Sequence, residues 1–245
     1  MKCITKRFNR LWKDKYFLIA NLLAFVYFIL LATITIMRHD RFLTTASDLG
    51  IFDQAFWTTV FEGEFFYETP DMWFNPKGSF FGVHFSPILL VFLPLYAIYP
   101  SPKTLLIIQA FFIAVATIPI YLLAREKFGN YALLISCLYI IYTPMLFVSL
   151  FDFHLEALVP APLLFAVYYF DKKDYKKFFV FLVLSLSTIE FVPIIALFFA
   201  IYVLIREFMF LLKRREKVRY FIKETDVKYA VLTAIISIIW LFIAL

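Results

Sequence analysis

The sequence predicts an all-α integral membrane protein of about seven transmembrane segments, one pair of them half-length, with a large first outer loop carrying in-plane amphipathic helices. Two observations lead to this class. The chain is 63% hydrophobic and only 17% charged over 245 residues, against about 25% charged in an ordinary soluble domain. Its apolar residues also gather in runs separated by short charged clusters, the pattern of a chain that threads a bilayer repeatedly.

The N-terminal residues 1–15 form a basic tail with Lys2, Lys6, Arg7, Arg10, Lys13 and Lys15 against Asp14 alone. Such a tail stays in the cytoplasm. The run 16–36 is too long for the apolar region of a signal peptide, and no small-residue cleavage site follows it, so it reads as a span leading outward. Residues 16–245 form a single membrane domain, with no internal repeat and no second soluble domain.

An outer loop over 37–103 comes next. It holds seven acids between Asp40 and His84, and two of the three histidines, His39 and His84. Within it, 48–62 places Ile51, Phe52, Ala55, Phe56 and Val60 at helical spacing and ends at Gly63. This predicts an amphipathic helix in the membrane interface, N-capped by Ser47 or Asp48, with its aromatic face among the headgroups. The stretch HFSPILLVFLPLYAIYPSP (84–102) has only about a dozen apolar residues between prolines, which suits a re-entrant or interfacial segment.

Further spans are expected at 105–124, 131–150 and 157–170. The 28-residue run 178–205 is too long for one ordinary span and is interrupted at Glu190, so it divides into two half-length helices. A last span begins at 229 and is cut at Leu245, so a C-terminal continuation is expected. Charge parity favours this arrangement. If 87–99 does not cross and 178–205 turns at Glu190, 20 of the 24 Lys/Arg fall in the cytoplasm, and every histidine faces out.

The same parity brings six candidate residues to the outer face: Asp48, Asp53 and His84 from the first loop, Asp152 and His154 from FDFHLE, and Glu190 from the half-helix turn. Carboxylates and imidazoles are the groups that move protons or hold divalent cations. Each also has a plain structural role open to it: a helix cap for Asp48, an interfacial anchor for His84, a turn residue for Glu190. Asp48 and Asp53 are about 140° apart if both are helical, so they would not share a face. Glu62, Glu64, Glu68 and Asp71 read as solvated loop charges.

The composition excludes several classes. The basic clusters flank apolar runs instead of sharing one folded surface, which argues against nucleic acid as a partner. With five glycines and no GxGxxG or Walker-type motif, a nucleotide-driven pump is not supported. Cys3 and Cys137 are expected at different depths, so a disulfide is not expected.

The motifs DLGIFDQ (48–54), HFSP (84–87), PLY (94–96) and DFH (152–154) resemble an uncharacterised family of predicted prokaryotic multi-pass membrane proteins, catalogued as domain of unknown function 2079. More distantly, a basic tail, one span and an acidic outer loop with in-plane helices resemble the C-type (GT-C) integral-membrane glycosyltransferases. That resemblance implies a GT-C-like module using a polyprenyl-phosphate sugar at the outer face of the cell membrane. It also implies Asp48 as catalytic base, with Asp53 or Asp152 assisting or holding a divalent cation such as Mg or Mn. His84, Asp152, His154 and Glu190 would then lie about the donor's lipid phosphate. Where that family usually carries a Lys-Glu pair, this chain has Ile189-Glu190. Two rival readings come from other classes: a transporter using Glu190, Asp152 and His154 as a relay, or a catalytically idle membrane subunit.

Overall fold

A computed structural model describes residues 14–45, 47–214, 221 and 224–244. The expectation for residues 1–13 of the basic tail therefore lies outside the described residues, as does part of the basic loop before the last helix. No β-strand forms among the described residues, apart from an isolated bridge between Tyr67 and Ser79. Among the described residues, four helical stretches are long and apolar enough to cross a membrane: Lys15–Asp40, Pro102–Ile140, Val192–Arg214 and Thr225–Ala244.

Helix α1 (Lys15–Asp40) starts where the Asp14 carboxylate accepts the Tyr16 N–H, a side-chain cap for an otherwise orphan donor. Its buried residues Phe17, Ala20, Ala24, Tyr27 and Leu31 recur every three or four positions, forming one stripe. That stripe packs on α4 (Pro102–Val115) and α5 (Thr117–Phe128), which run antiparallel to it. Tyr27 and Leu31 cluster with Ala110, Ile113 and Ala114, while Phe17 and Ala20 cluster with Tyr121 and Leu122. Helices α4 and α5 are almost continuous. The break at Ala116 lies just before Pro119, which has no N–H to give to the Val115 carbonyl.

Ion pairs fix which ends lie together. Lys103 at the start of α4 meets Asp40 at the end of α1, 2.6 Å apart, and Arg125 near the end of α5 meets Asp14 at 3.0 Å. The chain from 41 to 101 thus leaves one end of the bundle and returns to that same end. Helix α3 (Leu89–Ile98) has ten residues, about 15 Å of rise, too short to cross.

Helix α2 (Asp48–Trp57), extended by a wider turn over Thr58–Glu62 and stopped by Gly63 at φ +77, occupies the predicted range. Its burial differs from expectation. Phe52 and Phe56 are buried against Phe80, Phe153, Phe66 and Tyr96, so the aromatic face packs on protein instead of headgroups. Aromatic partners from four other segments offer it more contact than lipid does. Trp57 and Phe61 on the far side stay exposed.

After the turn at 129–131, helices α6 (Ala132–Ile140) and α7 (Thr143–Leu150) run back as one leg broken before Pro144. The Tyr139 hydroxyl donates to the Ile113 carbonyl, tying that leg to α4. Helices α8 (Pro160–Asp171) and α9 (Tyr175–Leu186) form a short hairpin of 12 residues each. The chain turns again at 187–191, as parity requires. The pair is not symmetrical, however. Only α9 is half-length, because α10 (Val192–Arg214) continues through 205 into the basic cluster for 23 residues. After Pro193 nothing in its sequence breaks a helix. The last helix, α11 (Thr225–Ala244), returns beside it.

At one end Asp226 of α11 accepts from Lys173, from Tyr175 at 2.5 Å and from Arg206 at 2.9 Å, and Lys172 pairs with Glu126. The described helices thus run between two ends. The one holding Arg125, Lys172, Lys173 and Lys177 is called the basic end here. The other, holding Asp40, Asp48, Asp152 and Glu190, is the acidic end.

This placement is open to a labelling test. With native cysteines replaced, Asp40→Cys and Lys103→Cys should react with an impermeant maleimide from one side of sealed vesicles, and Asn130→Cys from the other. Labelling of positions 40 and 103 from opposite sides would mean that 87–99 crosses.

Candidate site at the acidic end

Asp48 opens α2, but it is not the cap that its position suggested. Ser47 stands in the N-cap position without a side-chain bond, and the Asp48 N–H points at the Thr45 hydroxyl oxygen, 3.4 Å away. Thr45 is the hinge of the arrangement. Its backbone N–H and its hydroxyl both donate to Asp152 Oδ2, at 2.7 and 2.5 Å. The same hydroxyl lies 3.2 Å from Asp48 Oδ2. Two carboxylates, 104 residues apart in the sequence, therefore meet through one threonine. Asp152 is 2% exposed, while Asp48 is half-buried.

Asp152 is held from behind by Gln109 of α4. The Gln109 amide N–H₂ donates to the carbonyls of Val148 and Asp152, at 3.3 and 3.2 Å, and its oxygen accepts the His154 N–H at 2.7 Å. One buried side chain satisfies three backbone groups where α7 has ended and the next helix has not begun. The His154 ring lies 5.0 Å from that of Phe151, and its Nδ1 donates to the Asp152 carbonyl at 3.0 Å. Because a carbonyl only accepts, this bond fixes the proton on Nδ1 and leaves Nε2 for another partner.

His84 and Glu190 form the second pair, with Nδ1 2.8 Å from Oε1. Their segments are locked together by the Ile88 N–H, which donates to the Ser187 carbonyl at 2.9 Å. Glu190 Oε2 is buried with no hydrogen-bond partner among the described residues. A row of rings links the two pairs. Phe153, Phe52, Phe80 and His84 follow one another with centroids 4.8, 4.8 and 5.5 Å apart. Five of the six candidate residues thus lie along one aromatic row at one end of the bundle.

Asp53 stands apart. Its Oδ1 accepts the Tyr96 hydroxyl at 2.6 Å, joining α2 to α3, and as expected it does not share a face with Asp48. Burial pushes the Asp53 carboxyl above the usual range, against the opposing pull of the Tyr96 bond and the His39 charge. Burial likewise pushes Tyr96 upward, helped by the Asp53 bond.

Glu68 corrects the reading of a solvated loop charge. It is fully buried, takes the Asp71 N–H on Oε2 at 3.0 Å, and leaves Oε1 without a partner among the described residues. Burial raises its carboxyl above the usual range. The loop closes over it because the carbonyl of Gly78, a residue at φ +69, accepts the Glu68 N–H at 2.7 Å. A Cβ on Gly78 would stand 2.4 Å from the Tyr67 ring.

Thr45, Tyr96 and Gln109 were missed by sequence reasoning. Gln109 was findable: it is the polar interruption of an apolar span, where such a group must find partners. Thr45 carries no such signal. Among the described residues, no group of three or more His, Cys, Asp or Glu gathers to hold a metal ion. A cavity of about 640 Å³ lies at the basic end, away from all six candidates.

A family model described as "Predicted membrane protein (DUF2079)" matches residues 38–245, which include every residue of the acidic end named above. No curated protein and no solved structure matches.

Two measurements probe this arrangement. Gln109→Leu should destabilise the fold by about 1–3 kcal/mol for each backbone group left unpaired, read as a lowered melting temperature. An unchanged melting temperature would remove Gln109 from this role. The second concerns Asp53, whose raised folded-state pKa means that the fold prefers the neutral carboxyl. Its contribution is complete below the ordinary aspartate pKa of about 3.9 and is lost as pH rises through the raised value. Asp53→Asn keeps an oxygen for Tyr96, so the stability of wild type relative to this variant should fall across that window. Parallel curves would contradict it.

Proposed function

The chain belongs to this family of predicted membrane proteins, and from that premise we propose that it is a multi-pass glycosyltransferase using a lipid-linked sugar donor. In this reading it sits in the cell membrane with seven spans, its N-terminus and basic end cytoplasmic and its acidic end outside. The distribution of Lys and Arg between the two ends supports that orientation.

The observation that carries the proposal is the half-buried Asp48 at the start of α2, whose N–H is held by Thr45, itself ordered by the buried Asp152. A partly exposed carboxylate at a fixed helix start suits a general base, which must reach the proton it removes. The acceptor hydroxyl oxygen attacks the anomeric carbon of the donor while its proton passes to Asp48. The bond from that carbon to the phosphate oxygen breaks, and the lipid phosphate departs with the electron pair.

The His84–Glu190 pair leaves Nε2 of His84 available to the departing phosphate, and His154 presents Nε2 in the same way. Asp152 acts as a positioning residue through Thr45. Asp53, held by Tyr96, positions α3 instead of assisting the base. A divalent cation, Mg or Mn, enters this reading with the donor. Such ions bind to one or two carboxylates plus substrate phosphate oxygens; Asp48 would be the carboxylate within reach, since Asp152 is buried and bonded to Thr45. Exposed Leu90, Val91, Leu95 and Ile98 of α3 give the polyprenyl chain an apolar surface beside the site.

A transport relay would need ionisable groups through the depth of the bundle. Glu190, Asp152 and His154 instead gather at one end.

The test is transfer from polyprenyl-phosphate sugars by the purified protein. Asp48→Asn should lower turnover by about 10²–10⁴-fold, the usual loss for a general base, at unchanged melting temperature. Thr45→Val should give a smaller loss. Full turnover by Asp48→Asn would sink the base assignment, and no turnover by wild type on any such donor would sink the glycosyltransferase reading.

A further inference from the structure

The cavity at the basic end has no part in the acidic-end chemistry. It opens between α1, α5, α8, α9 and α11, with a volume of about 640 Å³, within the range of small-molecule sites. Its two sides differ in kind. One wall is apolar, formed by Ile118, Leu122 and Phe165, residues of helices that pass between the two ends. The rim carries Lys172, Lys173, Lys176 and Lys177 with a single acid, Asp174.

The lysines are not equally occupied. Lys172 pairs with Glu126 and Lys173 with Asp226, which also takes Arg206. Lys177 reaches Asp174 at 3.2 Å and stands 5.0 Å over the Tyr169 ring. Lys176 is exposed and makes no ion pair among the described residues. Acids neutralise the rim only in part, and they leave the outermost ammonium free beside an apolar wall.

We propose that this cavity binds the headgroup of an anionic phospholipid. The phosphate sits between Lys176 and Lys177, and the acyl chains run along the wall of Ile118, Leu122 and Phe165. Basic pockets between membrane helices take anionic headgroups in this way, and each lysine near the surface contributes about a five-fold gain in affinity. Free phosphate satisfies the same ammonium groups, but it leaves the apolar wall uncovered. A zwitterionic lipid covers the wall but brings its own cation to the rim. Only an anionic amphiphile meets both. The site is independent of the proposed transferase activity.

The test uses the full chain in detergent, stripped of lipid. Native mass spectrometry follows titration with phosphatidylglycerol and with phosphatidylcholine of the same acyl chains, and competition by inorganic phosphate is measured. Phosphatidylglycerol should bind at least about ten-fold more tightly than phosphatidylcholine, and millimolar phosphate should not displace it. Lys176→Gln should weaken phosphatidylglycerol about five-fold, and Lys176→Gln with Lys177→Gln about 25-fold, while leaving phosphatidylcholine unchanged. Lys176 is exposed and unpaired, so its single variant keeps the measurement valid if the double variant fails to fold. Equal affinity for the two lipids, or no effect of Lys176→Gln, would overturn the proposal. Full displacement by millimolar phosphate would overturn the lipid as occupant and assign the site to a free anion.

Discussion

The acidic end depends on the side chain of Gln109. Where α7 stops at Leu150, the chain must turn through 151–154 before the next helix, and its backbone polar groups lose their helical partners. In apolar surroundings each such group is costly if unpaired. Gln109 is 1% exposed and meets three of them, two carbonyls and one N–H. The direction of the Asp152 side chain follows from that bracket. Asp152 orders Thr45, and Thr45 lies against Asp48. A single amide in α4 thereby sets the geometry of a carboxylate on another helix.

The two ends of the bundle use charge differently. At the basic end acids serve as fasteners: Asp14 holds Arg125, Glu126 holds Lys172, and Asp226 collects Lys173, Tyr175 and Arg206. Each joins helices distant in sequence, so the hairpin of α8 and α9 is tied to α11 and α10 despite its short legs. At the acidic end one such fastener, Asp40 with Lys103, closes α1 against α4. The remaining candidate acids there are held by hydroxyl, amide and imidazole groups instead of lysine or arginine. A carboxylate bonded to a neutral donor keeps its charge directed outward, which a close cation would cancel.

Much of this organisation was legible from charge parity. That reasoning needed only that basic loops share a side, and it correctly returned 41–101 to one end and placed a turn at Glu190. It overstated the symmetry of that turn. The length of the run 178–205 suggested two equal halves, but charged residues can continue a helix beyond the apolar run, as Arg206–Arg214 do in α10. The site was half legible. Asp48, Asp152, His154, His84 and Glu190 stand out because ionisable groups are scarce in such a chain. Which of them meet was not legible, since the join runs through Thr45 across 107 residues. Helical spacing set Asp53 off the Asp48 face, but gave no sign of what it meets instead. Its partner, Tyr96, lies in a segment whose apolar character gave no reason to look for a hydroxyl donor. Glu68 was misread because a short acidic loop looks solvated until its fold is known.

The division between Asp48 and Asp152 has a physical basis. A buried carboxylate without a cation needs donors, and Asp152 takes both the N–H and the O–H of Thr45 on one oxygen. Having spent its single proton there, the Thr45 hydroxyl faces Asp48 with lone pairs and accepts the Asp48 N–H. It therefore orients the start of α2 without neutralising the Asp48 carboxylate. Were Asp152 replaced by a group that donates to Thr45, the hydroxyl would turn its proton toward Asp48 Oδ2 and tie up the very oxygen a general base requires. The buried acid thus keeps the half-buried one available, and neither residue accounts for the arrangement alone.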